Sequence, residues 1–224
     1  MSKLNFFLLV SSGALFVGAA VLMIQSPPEE FMGHVQKIMY VHLPAVFLAY
    51  ILFFVVFLSS WGYLWKRRES FDIHAFVSAE IATVYTFITL ATGSIWGKPT
   101  WNTYWTWDAK LTITLILFLI FCGYLLVRRI VDSGEQQARL CAVLGILGFV
   151  SVPLNHMSVK WWRSIHQSST LFTKKDTMSD EYKLILYLSF FAFALLTVYI
   201  YRLRLGMEIA SRKCAQASDE MLSE

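Results

Sequence analysis

Six stretches of this chain are apolar and long enough to cross a lipid bilayer, near 5–24, 43–65, 74–95, 110–127, 138–156 and 183–203. Each is close to or above the ~20 residues that a helix rising ~1.5 Å per residue needs to span the hydrocarbon. The expected fold is therefore all-α: a polytopic integral membrane protein with six transmembrane helices. Only 15% of the 224 residues are charged, against ~25% in ordinary soluble domains, so lipid is the main solvent. The spans use more than half of the chain, and residues 1–224 read as a single transmembrane domain.

The first span has one Lys before an apolar stretch of about 20 residues, longer than the ~7–15 of a signal-peptide core. Pro27 and Pro28 end it without a convincing cleavage site, so it is expected to stay as an anchor. Lys and Arg near span ends set orientation. With the N-terminus inside, Lys3, Lys66–Arg68, Arg128, Arg129, Arg139, Arg202, Arg204, Arg212 and Lys213 lie on the inner side. That is eleven of 19, and the runs "KRR" and "RR" directly follow spans two and four. Both termini are thus expected in the cytoplasm, with 204–224 as an inner tail. Cys122 and Cys141 fall within spans and Cys214 in the tail, leaving no disulfide framework outside and no CxxC. Net charge +4 comes largely from the inner flanks and is no signal for nucleic acid.

Three connections then reach the outer side: 25–42, 96–109 and 157–182. The second opens the sequence "WGKPTWNTYWTWDAK", Trp96 to Lys110, with four tryptophans and a tyrosine in fifteen residues. Interfacial aromatic belts account for Trp61 and Trp65, but they need only one or two rings per span end. This crowding fits a surface that holds a flat, polarisable ligand, since ring faces add ~0.5–1.5 kcal/mol each beyond area burial. Asp108, just before "AKLTITLILF", is placed to N-cap span four, worth ~1 kcal/mol; direct contact with a ligand is the alternative.

Four of the five histidines, His34, His42, His156 and His166, belong to the outer side, while His74 sits at the inner end of span three. Pro44 favours a first helical position, which predicts His42 just above span two. Pro153 and Asn155 predict that span five ends near His156. The stretch 159–167 would place Trp162 and His166 on one face of a short interfacial helix. Each lone His is ordinarily an interfacial hydrogen-bonding residue, yet two of them beside an aromatic platform suit a porphyrin. Neutral imidazole is the usual haem-iron ligand, indoles cover the macrocycle, and Lys98, Lys110 or Arg163 could meet its carboxylates.

"WGKPTWNTYWTWDAKLT" closely resembles the tryptophan-rich signature of the WWD family, the haem-handling membrane proteins of cytochrome c maturation. Within it, the six spans, "IMYVHLPA" and "WWRSIHQSST" resemble the haem exporter protein C (CcmC) branch, over essentially the whole chain. The resemblance implies that His42 and His166 are the two axial ligands of a non-covalent haem b. It also implies that Trp96, Trp101, Trp105, Trp107 and Asp108 form the haem-binding motif. The implied role is binding and transfer, not catalysis: haem is held at the periplasmic face of the bacterial inner membrane and handed to the haem chaperone CcmE, with CcmD and the ABC-type CcmA and CcmB as further partners. Lys110 departs from the Arg expected after "WDA", which keeps the charge but loses a bidentate fork. His34 and His156 have no place in the motif and read as structural.

A cytochrome c synthase of the wider family would carry another His pair inside the membrane, and a b-type electron-transfer subunit would need His pairs within spans; neither is present in the span interiors. A conventional transporter would place polar coupling groups near the midplane, where Glu80 is the only acidic candidate.

Overall fold

A computed structural model describes residues 2–30, 32–166 and 178–223. Six helices follow one another: α1 (Lys3–Gln25), α2 (Met39–Lys66), α3 (Glu69–Trp101), α4 (Ala109–Ile130), α5 (Glu135–Trp161) and α6 (Asp180–Ser223). A 3-10 turn, His34–Ile38, leads into α2. All six are long and apolar enough to cross a membrane. α2 and α3 form the centre, α5 packs on α2 and α4, and α1 rests on α6.

Between helices in lipid there is no hydrophobic drive, so close packing of small side chains holds the bundle together. Ala45, Ala49, Ala75, Ala79 and Ala82 are buried where α2 meets α3. Phe53 and Phe121 stack at 4.2 Å between ring centroids. A methyl group on Gly145 of α5 would stand 2.6 Å from the Ser60 hydroxyl of α2, so glycine sets how near those helices come. Asn155 ties α5 to both α2 and α4 with polar bonds: it accepts from the Tyr50 hydroxyl at 2.7 Å and donates to the Lys110 carbonyl at 2.9 Å and to Thr114 at 2.7 Å.

Four helices outrun the expected spans. α2 begins at Met39, so Pro44 lies inside it and His42 belongs to its first turns. Burial of Met39 and Tyr40 against Ile185 and Leu186 offsets the bond lost at Pro44. α3 continues to Trp101 through Pro99, so the first part of the expected loop 96–109 is helix. Asn102, at φ 58°, stops it in the left-handed conformation that Asn tolerates. α5 passes Pro153 and runs to Trp161, held by the Asn155 bonds, and Trp162–His166 are not helical. Of the expected interfacial helix over 159–167, residues 159–161 belong to α5, 162–166 are not helical and 167 lies outside the described residues, so Trp162 and His166 do not share a helical face. Much of the expected outer connection 157–182, namely 167–177 with the end of "WWRSIHQSST", lies outside the described residues.

The segment expected as an inner tail, 204–224, continues the last helix as far as Ser223. α6 is one helix of 44 residues, ~66 Å at ~1.5 Å per residue. Arg212 near its end donates to Asp72 at 2.9 Å and Glu69 at 3.2 Å, both in the first turn of α3. Asp72 also takes Arg128 from α4. Glu80 is bound by Arg204 at 2.7–3.1 Å, so it is committed to an ion pair. His74 meets the Tyr201 hydroxyl at 2.6 Å.

Candidate functional site

The start of α2 and the end of α3 bring the first histidine to the tryptophan segment. His42 Nδ1 lies 2.9 Å from the Thr92 hydroxyl. Thr92 and Trp96 are one helical turn apart on α3 and share a face, and the Trp96 ring meets the imidazole edge-on at 5.7 Å. A Cβ on Gly93 would be 3.3 Å from His42 Cε1. That glycine leaves the ring room to lie against α3.

The second histidine is held by the carboxylate that starts α4. Asp108 Oδ1 accepts the Lys110 amide at 3.0 Å, which is the expected N-cap. The same oxygen takes His166 Nδ1 at 3.1 Å, and Oδ2 takes the Ile165 amide at 3.1 Å. Asp108 is only 4% exposed. Burial pushes its carboxyl up, but bonds from Ser164 and Ile165, the nearby His166 ring and the Lys110 amide outweigh this and hold it below the usual value. Burial likewise lowers His166, against the pull of Asp108, and so favours the neutral ring.

The Trp101 ring stands 4.8 Å from that of His166, inclined by 60°. His42 lies within electrostatic reach of both His166 and the Lys110 ammonium. Both imidazoles thus have Nδ1 engaged by a partner from the protein, which leaves Nε2 of each as the nitrogen for a ligand. Carboxylates and hydroxyls in that place fix tautomer and ring direction in metal-binding histidines.

Residues 102–108 fold back over the end of α3. Thr103 Oγ1 donates to the Trp105 carbonyl at 2.8 Å, and Trp105, Trp101, Gly93, Gly97 and Ile165 line a small cleft. Trp105 meets Trp107 edge-on at 5.7 Å. Trp107 is 77% exposed and is the motif tryptophan that least belongs to the imidazole cluster. Lys98 is spent on Asn102, at 3.2 Å to its carbonyl, and on the face of Tyr104. Lys110 is half-buried beside the site, and Arg163 is exposed. His34 and His156 are both exposed.

A family model described as CcmC, heme exporter protein C, matches residues 2–220. The chain belongs to the heme exporter protein C family. The heme exporter protein C of Bradyrhizobium diazoefficiens is 36% identical over 189 residues, 84% of this chain and 72% of its own length. That of Rhodobacter capsulatus is 35% identical over 190 residues, 84% and 78% of the two chains. That of Paracoccus denitrificans is 34% identical over 191 residues, 84% and 79%.

In this family member, three contributors to the site escaped the sequence reading: Thr92, Gly93 and Ser164. Thr92 had a signal. It sits one turn before Trp96 in "TGSIW", and a helix running past the expected boundary puts both on the face that meets α2. Ser164 had none, because its position depends on Asp108 drawing in a non-helical segment 57 residues away.

Proposed function

We propose that this membrane protein binds haem as cargo at the outer face of the bacterial inner membrane and passes it on during cytochrome c maturation. The carrying observation is the pair of imidazoles, each with Nδ1 held by the protein and Nε2 left for iron. Membership of the heme exporter protein C family supports a haem-handling role, and a multi-pass chain of six apolar helices fits it. Bound haem would supply an iron for imidazole nitrogen, and His42 and His166, each with Nδ1 already engaged, would hold it.

His42 and His166 act as the axial ligands. Thr92 and Asp108 keep them in the productive tautomer. Trp96 and Trp101 stand beside the two imidazoles, and Trp105 walls the cleft next to them. Lys110 is the nearest cation for a propionate, since Lys98 is already engaged. Trp107, being exposed, sits at the rim. The chain therefore binds and orients without catalysing a covalent step, and haem leaves to the chaperone CcmE, with CcmA, CcmB and CcmD as companions. Orientation with both termini in the cytoplasm follows from the Lys and Arg distribution and puts the site on the periplasmic side.

The test is the absorption spectrum of the detergent-purified chain, alone and as His42→Gly and His166→Gly. Two imidazole ligands give a six-coordinate, low-spin spectrum, each glycine variant loses haem, and added imidazole restores it. If both variants keep wild-type haem content, the ligand assignment fails. Labelling that puts 96–110 on the cytoplasmic side would overturn the periplasmic placement.

A further inference from the structure

The two axial histidines are held by unlike devices, and the one at His42 is built entirely from the helix beside it. Thr92 Oγ1 stands 2.6 Å from the Ile88 carbonyl. A carbonyl only accepts, so the hydroxyl proton is committed there. The oxygen is left as an acceptor, and the bond at 2.9 Å to His42 Nδ1 requires the proton on the imidazole nitrogen. In a neutral imidazole one nitrogen donates and the other accepts, so Nε2 carries the lone pair.

Other threonines of α3 show what is particular here. Thr83, Thr86 and Thr89 also donate to the carbonyl four residues back, the ordinary way for a hydroxyl to be satisfied inside a helix. Only Thr92, among the described residues of α3, adds a histidine to that bond. Gly93, next along, gives the ring its space.

We propose that Thr92 is the positioning residue of His42: through the relay from the Ile88 carbonyl it fixes the Nδ1–H tautomer and aims Nε2 outward before any ligand arrives. This rests on the reading of His42 as a haem ligand. The tautomer itself belongs to the haem-free protein and is testable without it.

The experiment has two arms. In haem-free protein labelled with 15N-histidine, the nitrogen shifts of His42, assigned by its loss in His42→Gly, report which nitrogen carries the proton at neutral pH. The proposal expects Nδ1–H; finding Nε2–H overturns it. In the second arm, haem retention and the low-spin spectrum are compared for wild type, Thr92→Val and Thr92→Ser. Val keeps the shape and removes the acceptor; Ser keeps the acceptor. Loss of such an outer partner typically weakens metal affinity by ~10–100-fold, and the lower end is expected for a neutral hydroxyl. Thr92→Ser should restore both retention and spectrum. Wild-type retention in Thr92→Val, or equal loss in Val and Ser, overturns the proposal. Should His42→Gly retain haem fully, the ligand reading falls, while the tautomer arm still stands or fails by itself.

Discussion

The two ends of this bundle spend their polar groups in opposite ways. At the end where α3 begins, the inner one in the proposed orientation, charge is matched to charge. Asp72 receives Arg128 and Arg212 at once, Arg212 also reaches Glu69 and Glu208, and Arg204 closes on Glu80. Gln137 completes the knot, donating to the carbonyls of Arg128 and Val131 at 3.1 and 2.7 Å. At the opposite end, Asp108 and Thr92 are spent on Nδ1 of two imidazoles. The first cluster pairs its charges with one another, as a structural clamp does. The second, in the proposed reading, keeps Nε2 of each ring for a ligand, and that is how a binding site differs from a clamp.

The largest effect that would sharpen the contrast is expected at the inner end. Asp72 and Arg128 are each 5% exposed, and removing one partner of a buried pair strands the other charge, typically costing ~3–5 kcal/mol. Asp72→Ala should lower the unfolding midpoint in detergent by far more than any outer variant. The protein that still folds should keep a wild-type haem spectrum. A specific change in that spectrum at normal stability would break the division between clamp and site.

Asp108→Ala comes next, and should do the reverse. It removes a cap worth ~1 kcal/mol and the partner of His166, for which ~10–100-fold weaker retention is the usual scale. Asp108→Asn separates the two roles. Asn caps helices well, so stability should return nearly to wild type, while its one uncharged accepting oxygen, in place of the two of the carboxylate, holds Nδ1–H of His166 less firmly. Recovery of haem content in the Asn variant would reduce Asp108 to a cap.

Trp101 and Trp107 divide the motif itself. Trp101 touches the His166 ring, whereas Trp107 is exposed and touches Trp105. With ~0.5–1.5 kcal/mol for a ring contact, Trp101→Ala should weaken haem retention by up to ~tenfold. Trp107→Ala should change it little. Equal losses would show that the loop rearranges around its ligand.

Much of this was legible in the sequence. Hydropathy located six helices, because a bilayer demands long apolar runs, and the cap at Asp108 followed from its place before one of them. Helix ends were misplaced where proline was taken as a boundary, at Pro44 and Pro153, and Pro99 too lies inside a helix. At Pro44 and Pro153 tertiary contacts, Tyr40 against α6 and Asn155 against α4, outweigh the one bond that proline removes. Pro99 stands in the final turns of α3, where few backbone bonds remain to lose. The inner clamp was invisible for a related reason. Asp72, Arg128 and Arg212 are far apart in the chain, and only the continuation of α6 beyond its apolar stretch brings the last of them to α3.

Acidification gives the smallest effect, and it is expected at His166. Burial holds the His166 pKa below its ordinary value, and Asp108 only partly restores it. Above pH ~6.5 the ring is neutral in both folded and unfolded chains and contributes no pH dependence. As pH falls below ~6.5 the unfolded chain takes up its proton first, so folded stability declines until the lower folded pKa is passed. Asp108, held below its usual range, stays ionised through that window and adds nothing to the slope. The proton also competes with iron for the imidazole, so haem retention should fall in step with the small loss of stability. Retention that stays level from pH ~7.5 to ~5.5, about one unit either side of the ordinary imidazole value, would mean that His166 is not the nitrogen on which the cargo is held.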